Sequence, residues 1–168
     1  MVTTRLVVSA DTEFLWQMVY WAAHVDEDEG VTLDDMRRDP DLVGHVAEWG
    51  RRGDLGAVAE LDGVPVGAAW LRLFVRGVSD YSAFVDDETP ELVAAVAPEH
   101  LGRGIGSVVL TSLFRHADRV YDQTVLSVRT GNPAARLYER FGFRELDRHV
   151  NRVGTESARM VRRAADRG

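Results

Sequence analysis

The chain has 168 residues, 45% of them hydrophobic and 28% charged, with no cysteine and a formal net charge of −7. That size and balance suit a single domain spanning residues 1–168, with a core large enough to stand without disulfide or metal staples. The missing thiol excludes a disulfide framework, a cysteine nucleophile, a zinc ribbon and an iron–sulfur centre, and the negative charge argues against nucleic acid as a partner.

The charge is uneven. Residues 1–100 carry net −13 and residues 101–168 net +6. Such asymmetry fits either an anionic ligand on the later half or simple drift of surface charge. Every basic residue is arginine, so no lysine is available for catalysis. No apolar stretch approaches the ~20 residues of a membrane span, and Met1 to Arg5 lacks the pattern of a secretory signal. A cytoplasmic protein with no membrane partner is the expectation.

In chain order, Arg5 to Val8 reads as a short strand. Asp11-Thr12 can cap a helix whose apolar positions are Phe14, Leu15, Met18, Val19 and Ala22. Asp26 to Glu29 superficially resembles a calcium loop, but its twelfth position is Arg37, where a bidentate glutamate is needed. Pro40 suits the first turn of a second helix carrying Leu42, Val43, Val46 and Trp49 and closed by Gly50. Leu55–Leu61 and Val64–Val75 read as strands joined by Asp62-Gly63, a strong hairpin signal because a two-residue reverse turn wants positive φ. Glu91 to Ala97 is nearly continuously apolar, as in a buried central strand. A helix follows with Ile105, Val108, Val109, Leu113 and Phe114 on one face. Thr124–Val128 is another buried strand. Asn132-Pro133 starts a helix through Phe141, and Phe143–Val150 with Ser157–Arg163 closes the chain as a hairpin. Hairpins at both ends and alternation near the centre imply a mixed sheet with helices on both faces.

The segment from Val96 to Ser107 carries the most chemistry. A buried strand ends, and Leu101-Gly102-Arg103-Gly104-Ile105-Gly106 opens directly into a helix. Glycine permits positive φ and close approach of a ligand, while the first helical amides lack partners and sit at the positive end of the dipole. Together these make a phosphate cradle. A Walker loop is excluded by the absence of lysine. A Rossmann fingerprint fails because Ser107 or Val109 stands where its last glycine belongs. A glycine-rich helix entry without a ligand is the plain alternative.

The second informative segment runs from Asn132 to Phe143, just after the next buried strand. With this pair of segments, in this order and separation, the sequence resembles the GCN5-related N-acetyltransferase (GNAT) superfamily over residues 88–145. One half is the pyrophosphate loop, Leu101 to Gly106. The other is the asparagine-capped helix bearing Tyr138 and closed by Phe141-Gly142-Phe143. The family usually has arginine or glutamine where this chain has Leu101. Arg103 can still supply a side-chain contact to phosphate.

The resemblance implies an α/β (α+β) fold, with a mixed, mostly antiparallel sheet of six to seven strands, and acetyl-CoA as co-substrate. It implies that the strand ending at Val96 splays from Thr124–Val128. Main-chain groups near Ala95, Val96 and Ala97 would then bond the pantetheine arm, and an amide there would polarise the thioester carbonyl. Amides of Gly102, Arg103, Gly104, Ile105, Gly106 and Ser107 would hold the pyrophosphate, Asn132 would contact the pantetheine end, and Tyr138 would lie near the sulfur.

The reaction so implied is direct attack of a primary amine on a thioester, in a ternary complex. Tyr138, a phenol, can protonate the leaving thiolate; otherwise it is a core aromatic beside Leu137 and Phe141. Glu91 stands where family members often place a carboxylate base acting through water; otherwise it is a solvated strand end. Asp80, Tyr81 and His100 are further candidates for the base. The histidines show no ligand spacing, so no metal is expected. The acid clusters Asp26 to Glu29 and Asp86 to Glu88 would favour a cationic small-molecule or protein amine, unless they are merely solvated loops. A homodimer is expected from fold habit alone. Two rivals remain open: a non-catalytic acyl-CoA-binding module on the same fold, and a nucleotide-binding module using the same cradle.

Overall fold

The computed structural model describes residues 1–23, 30–75 and 83–165. Seven strands form one sheet in the order β1-β2-β3-β4-β5-β7-β6. They are β1 (Val2–Leu6), β2 (Leu55–Leu61), β3 (Val64–Arg72), β4 (Glu91–Val96), β5 (Gln123–Arg129), β6 (Arg144–Val150) and β7 (Glu156–Arg163). The helices are α1 (Thr12–Ala22), α2 (Leu33–Met36), α3 (Pro40–Val43), α4 (Ile105–Ala117) and α5 (Ala134–Arg140). Neighbouring strands are antiparallel except β4 and β5. This is the mixed, mostly antiparallel sheet with helices on both faces that the sequence implies.

Each face has its own apolar cluster. On one side Ile105, Val109, Leu110, Leu113 and Phe114 of α4 pack on Ala57, Ala59, Ala69 and Leu71. On the other, Leu15, Trp16, Met18 and Val19 of α1 pack on Val58, Ala68 and Trp70. Alternation along β2 and β3 sends successive residues to opposite clusters, and small alanines let both helix layers approach closely. Each large apolar side chain so buried contributes about 1.5–3 kcal/mol. The Asp62-Gly63 turn has φ of 51° and 83°, the paired positive values of a primed hairpin turn.

Three local readings need correction. The helix expected over Pro40–Trp49 is helical only to Val43. Glu48 and Gly50 take φ of 56° and 105°, which turns the chain instead of continuing it. The one-turn helix α2 carries its own cap, Thr32, whose hydroxyl accepts from the Asp35 amide at 3.1 Å; one turn is too short to show a period. Asp11 does not cap α1 with its side chain. Its carboxylate accepts from the Val8 amide and from both terminal nitrogens of Arg5 at 2.8 Å, an ion pair that requires β1 to lie alongside. Asn132 behaves as read: its Oδ1 accepts from the Ala134 amide at 2.9 Å.

Candidate active site

The sheet parts between β4 and β5. β4 and β5 share the single register pair Glu91–Val125, with the Val125 amide donating to the Pro90 carbonyl at 3.0 Å. Beyond it the strands part, and a cleft of about 470 Å³ opens between them. Glu91, Ala95, Val96, Leu101, Gly106, Asn132 and Tyr138 all line it. A parallel pair joined at one end and open at the other leaves main-chain groups of both strands facing the gap.

Which groups face the gap follows from the antiparallel register. The Ala97 amide donates to the Val66 carbonyl at 2.8 Å, and Ala95 is opposite Ala68. Main-chain direction alternates along a strand, so Ala95 and Ala97 bond toward β3, whereas Leu92, Ala94 and Val96 face the seam. This corrects the expectation for Ala95 and Ala97. Their main-chain groups are spent within the sheet, and the Ala97 carbonyl also accepts from the His100 amide at 2.8 Å. The main-chain groups of Val96 and Ala94 are the ones turned toward the gap.

The glycine-rich segment caps the open end. Gly102 and Gly104 have φ of 74° and 76°, a conformation in which L side chains are strained. Gly104 is the residue before α4, and the first bond across the turn runs from the Val108 amide to the Gly104 carbonyl at 3.2 Å. The amides of Ile105, Gly106 and Ser107 therefore lack partners within the helix. A Cβ on Gly102 or Gly104 would meet nothing within 4 Å, so open space lies beside this turn. A side chain at Gly106, by contrast, would approach Leu137 Cδ2 at 3.0 Å, which holds α4 and α5 close. Leu101 and Arg103 are exposed. Unpartnered amides, a positive dipole end and free space together fit a diphosphate.

Two ionisable groups in the cleft are strongly perturbed. Glu91 is only 6% exposed. Burial pushes its carboxyl up to about 8, partly opposed by the Ala83 amide donating to Oε2 at 3.2 Å. Arg72, its register partner on β3, does not form an ion pair with it. That guanidinium is committed to Asp54 at 2.7 Å and to the Gly44 carbonyl at 3.0 Å. Tyr138 is half-buried, packed edge-on against Phe143 with ring centroids 5.8 Å apart. Burial pushes its phenol up to about 12, so it remains a proton donor throughout the ordinary range.

The cleft is also lined by residues that sequence reasoning did not single out. His45, Arg129, Asn151, Arg152, Ser157 and Ser127 line it. Arg129 and Arg152 both donate to the Ala23 carbonyl, at 3.4 and 3.0 Å, beyond the end of α1. Burial, and secondarily the charge of Arg72, holds His45 down near 4, so it is a neutral imidazole. These residues come from four separate segments, and only the sheet register brings them together. Of the other expectations, Asp86 is used locally, accepting from the Glu88 and Thr89 amides at 2.9 and 2.8 Å, and its cluster does not line the cleft. His100 lies on the turn before Gly102, outside the lining. Asp80, Tyr81 and Asp26 to Glu29 lie outside the described residues. Among the described residues no helix is long and apolar enough to cross a membrane.

Comparison with known proteins follows the same outline. Residues 52–145 match the family model "Acetyltransferase (GNAT) domain". Over 61 residues, 34% of this chain, it is 49% identical to a mycothiol acetyltransferase of Tsukamurella paurometabola, and it spans only 20% of that protein's length. The ribosomal-protein-S18-alanine N-acetyltransferase of Escherichia coli superposes over 100% of this chain and 97% of its own, with a TM-score of 0.68 and 18% identity. The yncA protein of Salmonella typhimurium, solved with its cofactor acetyl-CoA, superposes over 100% and 96% with a TM-score of 0.70 and 21% identity. At such identities these two structures speak for the fold alone.

Proposed function

Since the chain belongs to the GNAT acetyltransferase family, with acetyl-CoA as co-substrate, we propose that it transfers the acetyl group directly to a primary amine in a ternary complex. The observation that carries this reading is the seam. The β4–β5 gap, Gly106 with its unpartnered amide at the start of α4, Glu91 and Tyr138 all belong to one continuous cleft.

Gly102 to Ser107 bind the pyrophosphate through their amides, and Ala94 and Val96 bond the pantetheine arm as an added strand. Asn132, its Oδ1 engaged in capping α5, fixes that helix so that Tyr138 faces the cleft. Glu91, in its ionised form, accepts the amine's proton through water, so turnover should rise with pH up to about 8 as that form is populated. As the amine nitrogen bonds the carbonyl carbon and the carbon–sulfur bond breaks, Tyr138 protonates the sulfur. A seam-facing amide polarises the carbonyl oxygen. The acceptor is a small-molecule or protein amine.

Thiol release from acetyl-CoA, measured over polyamines, aminoglycosides, amino acids and peptide N-termini, tests the reading. Turnover is expected with at least one acceptor. Glu91→Gln lowers kcat about 100-fold, and Tyr138→Phe about tenfold or more with the KM for acetyl-CoA unchanged. Coenzyme A binding without turnover across the panel would instead identify a binding module.

A further inference from the structure

Acyl transfer to an ammonium group poses a proton problem that Glu91 alone does not solve. The nitrogen enters with three N–H bonds and leaves as an amide with one. One proton departs before attack, and Glu91 receives it. The second departs from the cationic nitrogen of the tetrahedral adduct, after Glu91 is already loaded.

A second acceptor stands on the same face of the sheet. Ser127 lies on β5 two residues beyond Val125, the register partner of Glu91, so its side chain emerges on Glu91's side. It is half-buried and lines the cleft. Its Oγ is 3.2 Å from His149 Nε2 on β6, reached across β7. His149 is outside the cleft lining and half-buried. Its charged surroundings come from three strands. Asp147 of β6 and Arg159 of β7 pair with each other. Arg129 of β5 stands opposite Ser157, which stands opposite His149.

We propose that Ser127 is a further catalytic residue, backed by His149 as a positioning residue, and that the pair removes the second proton. This rests on the acyl-transfer reading. As the nitrogen–hydrogen bond of the adduct breaks, the proton bonds to Ser127 Oγ while the hydroxyl proton passes to His149 Nε2. His149 then releases it to solvent. The sulfur's proton comes separately from Tyr138, which is reprotonated from water, so one net proton leaves per turnover. Ser127 touches the acceptor nitrogen; His149 acts only through Ser127. Burial, then Arg159, lowers the imidazole below its ordinary range while Asp147 raises it, so His149 is neutral and able to accept at neutral pH.

The test uses wild type, Ser127→Ala, Ser127→Thr, His149→Gln and the Ser127→Ala/His149→Gln pair. Spermidine, kanamycin and an alanyl peptide serve as acceptors, with kcat/KM measured from pH 5 to 9.5. Ser127→Ala and His149→Gln should each lower kcat about tenfold or more, and the double variant no further, because the two act as one unit. Ser127→Thr keeps the hydroxyl and should stay within about threefold of wild type. Where His149 takes up its proton, at a pH below the ordinary imidazole value, the wild-type log(kcat/KM) should fall up to one unit per pH more steeply than that of His149→Gln. Coenzyme A affinity and Tm should hold throughout. If wild type is active and the variants match it in rate and pH slope, the relay is overturned while acyl transfer stands. If the variants lose coenzyme A affinity or Tm in proportion to rate, the role is structural and the relay is likewise overturned. If wild type binds coenzyme A yet consumes acetyl-CoA with none of the acceptors, the acyl-transfer reading fails and the relay with it.

Discussion

The two halves of the sheet are built to different rules. From β1 to β4 each strand is paired along its length, and the centre is sealed on both faces: Ala57, Ala59, Ala68, Ala69, Trp70 and Leu71 are fully buried. From β5 through β7 to β6 the pairing is equally regular, but the outer strand is exposed and rich in charge. The halves meet at one register pair. The first half is a rigid wall held by apolar packing and one buried ion pair. The second presents polar side chains, Ser127, Arg129 and Ser157 among them, to the gap. A sheet that closed fully would bury more main chain and have no site. The unmade β4–β5 bonds are the feature from which binding follows.

The largest effect is expected in the wall. Arg72 and Asp54 are 1% and 3% exposed and bonded through two nitrogens, Arg72 Nε at 3.0 Å and a terminal nitrogen at 2.7 Å. Asp54→Ala leaves a buried guanidinium without its carboxylate and should cost about 3–5 kcal/mol in urea unfolding. A loss under about 1 kcal/mol would mean that the wall does not depend on this pair.

A smaller effect sits at the junction. Folded Glu91 holds its proton to about 8, whereas its unfolded value is 4.5. Folded His45 gives up its proton near 4 instead of 6.5. The first makes stability fall as pH rises from 4.5 to 8; the second makes it fall as pH drops from 6.5 to 4. They oppose each other between 4.5 and 6.5. From 6.5 to 8 only Glu91 acts, and stability should decline by about 2 kcal/mol. Denaturation at a series of pH values checks this: Glu91→Gln should abolish the decline, and a decline that persists in the variant would place its origin elsewhere.

The same contrast explains what the sequence made legible. Strands β2, β3, β4 and β5 show as apolar runs because both faces are covered, and the Asp62-Gly63 turn and the Gly102–Gly106 segment show because their chemistry is local. Asn132 as a cap is equally local. The Arg5–Asp11 and Arg72–Asp54 pairs join residues on different strands and loops, so neither spacing announces them. Ser127 and His149 are 22 positions apart and meet only through the β5-β7-β6 order. The direction of main-chain bonds at Ala95 and Ala97 likewise depends on register with β3, which no single strand reveals. Trp49 keeps the apolar spacing of a helix, but α3 ends at Val43 and Glu48 and Gly50 on either side of Trp49 take positive φ.

Amide hydrogen exchange with and without coenzyme A tests the seam most directly. The ligand should slow exchange at Ala94, Val96 and Gly102 through Ser107. Gly104→Val, which forces a β-branched side chain into positive φ, should weaken that protection while Ser127→Ala leaves it intact. Protection absent from these amides, or appearing only on the β6–β7 hairpin, would contradict the account.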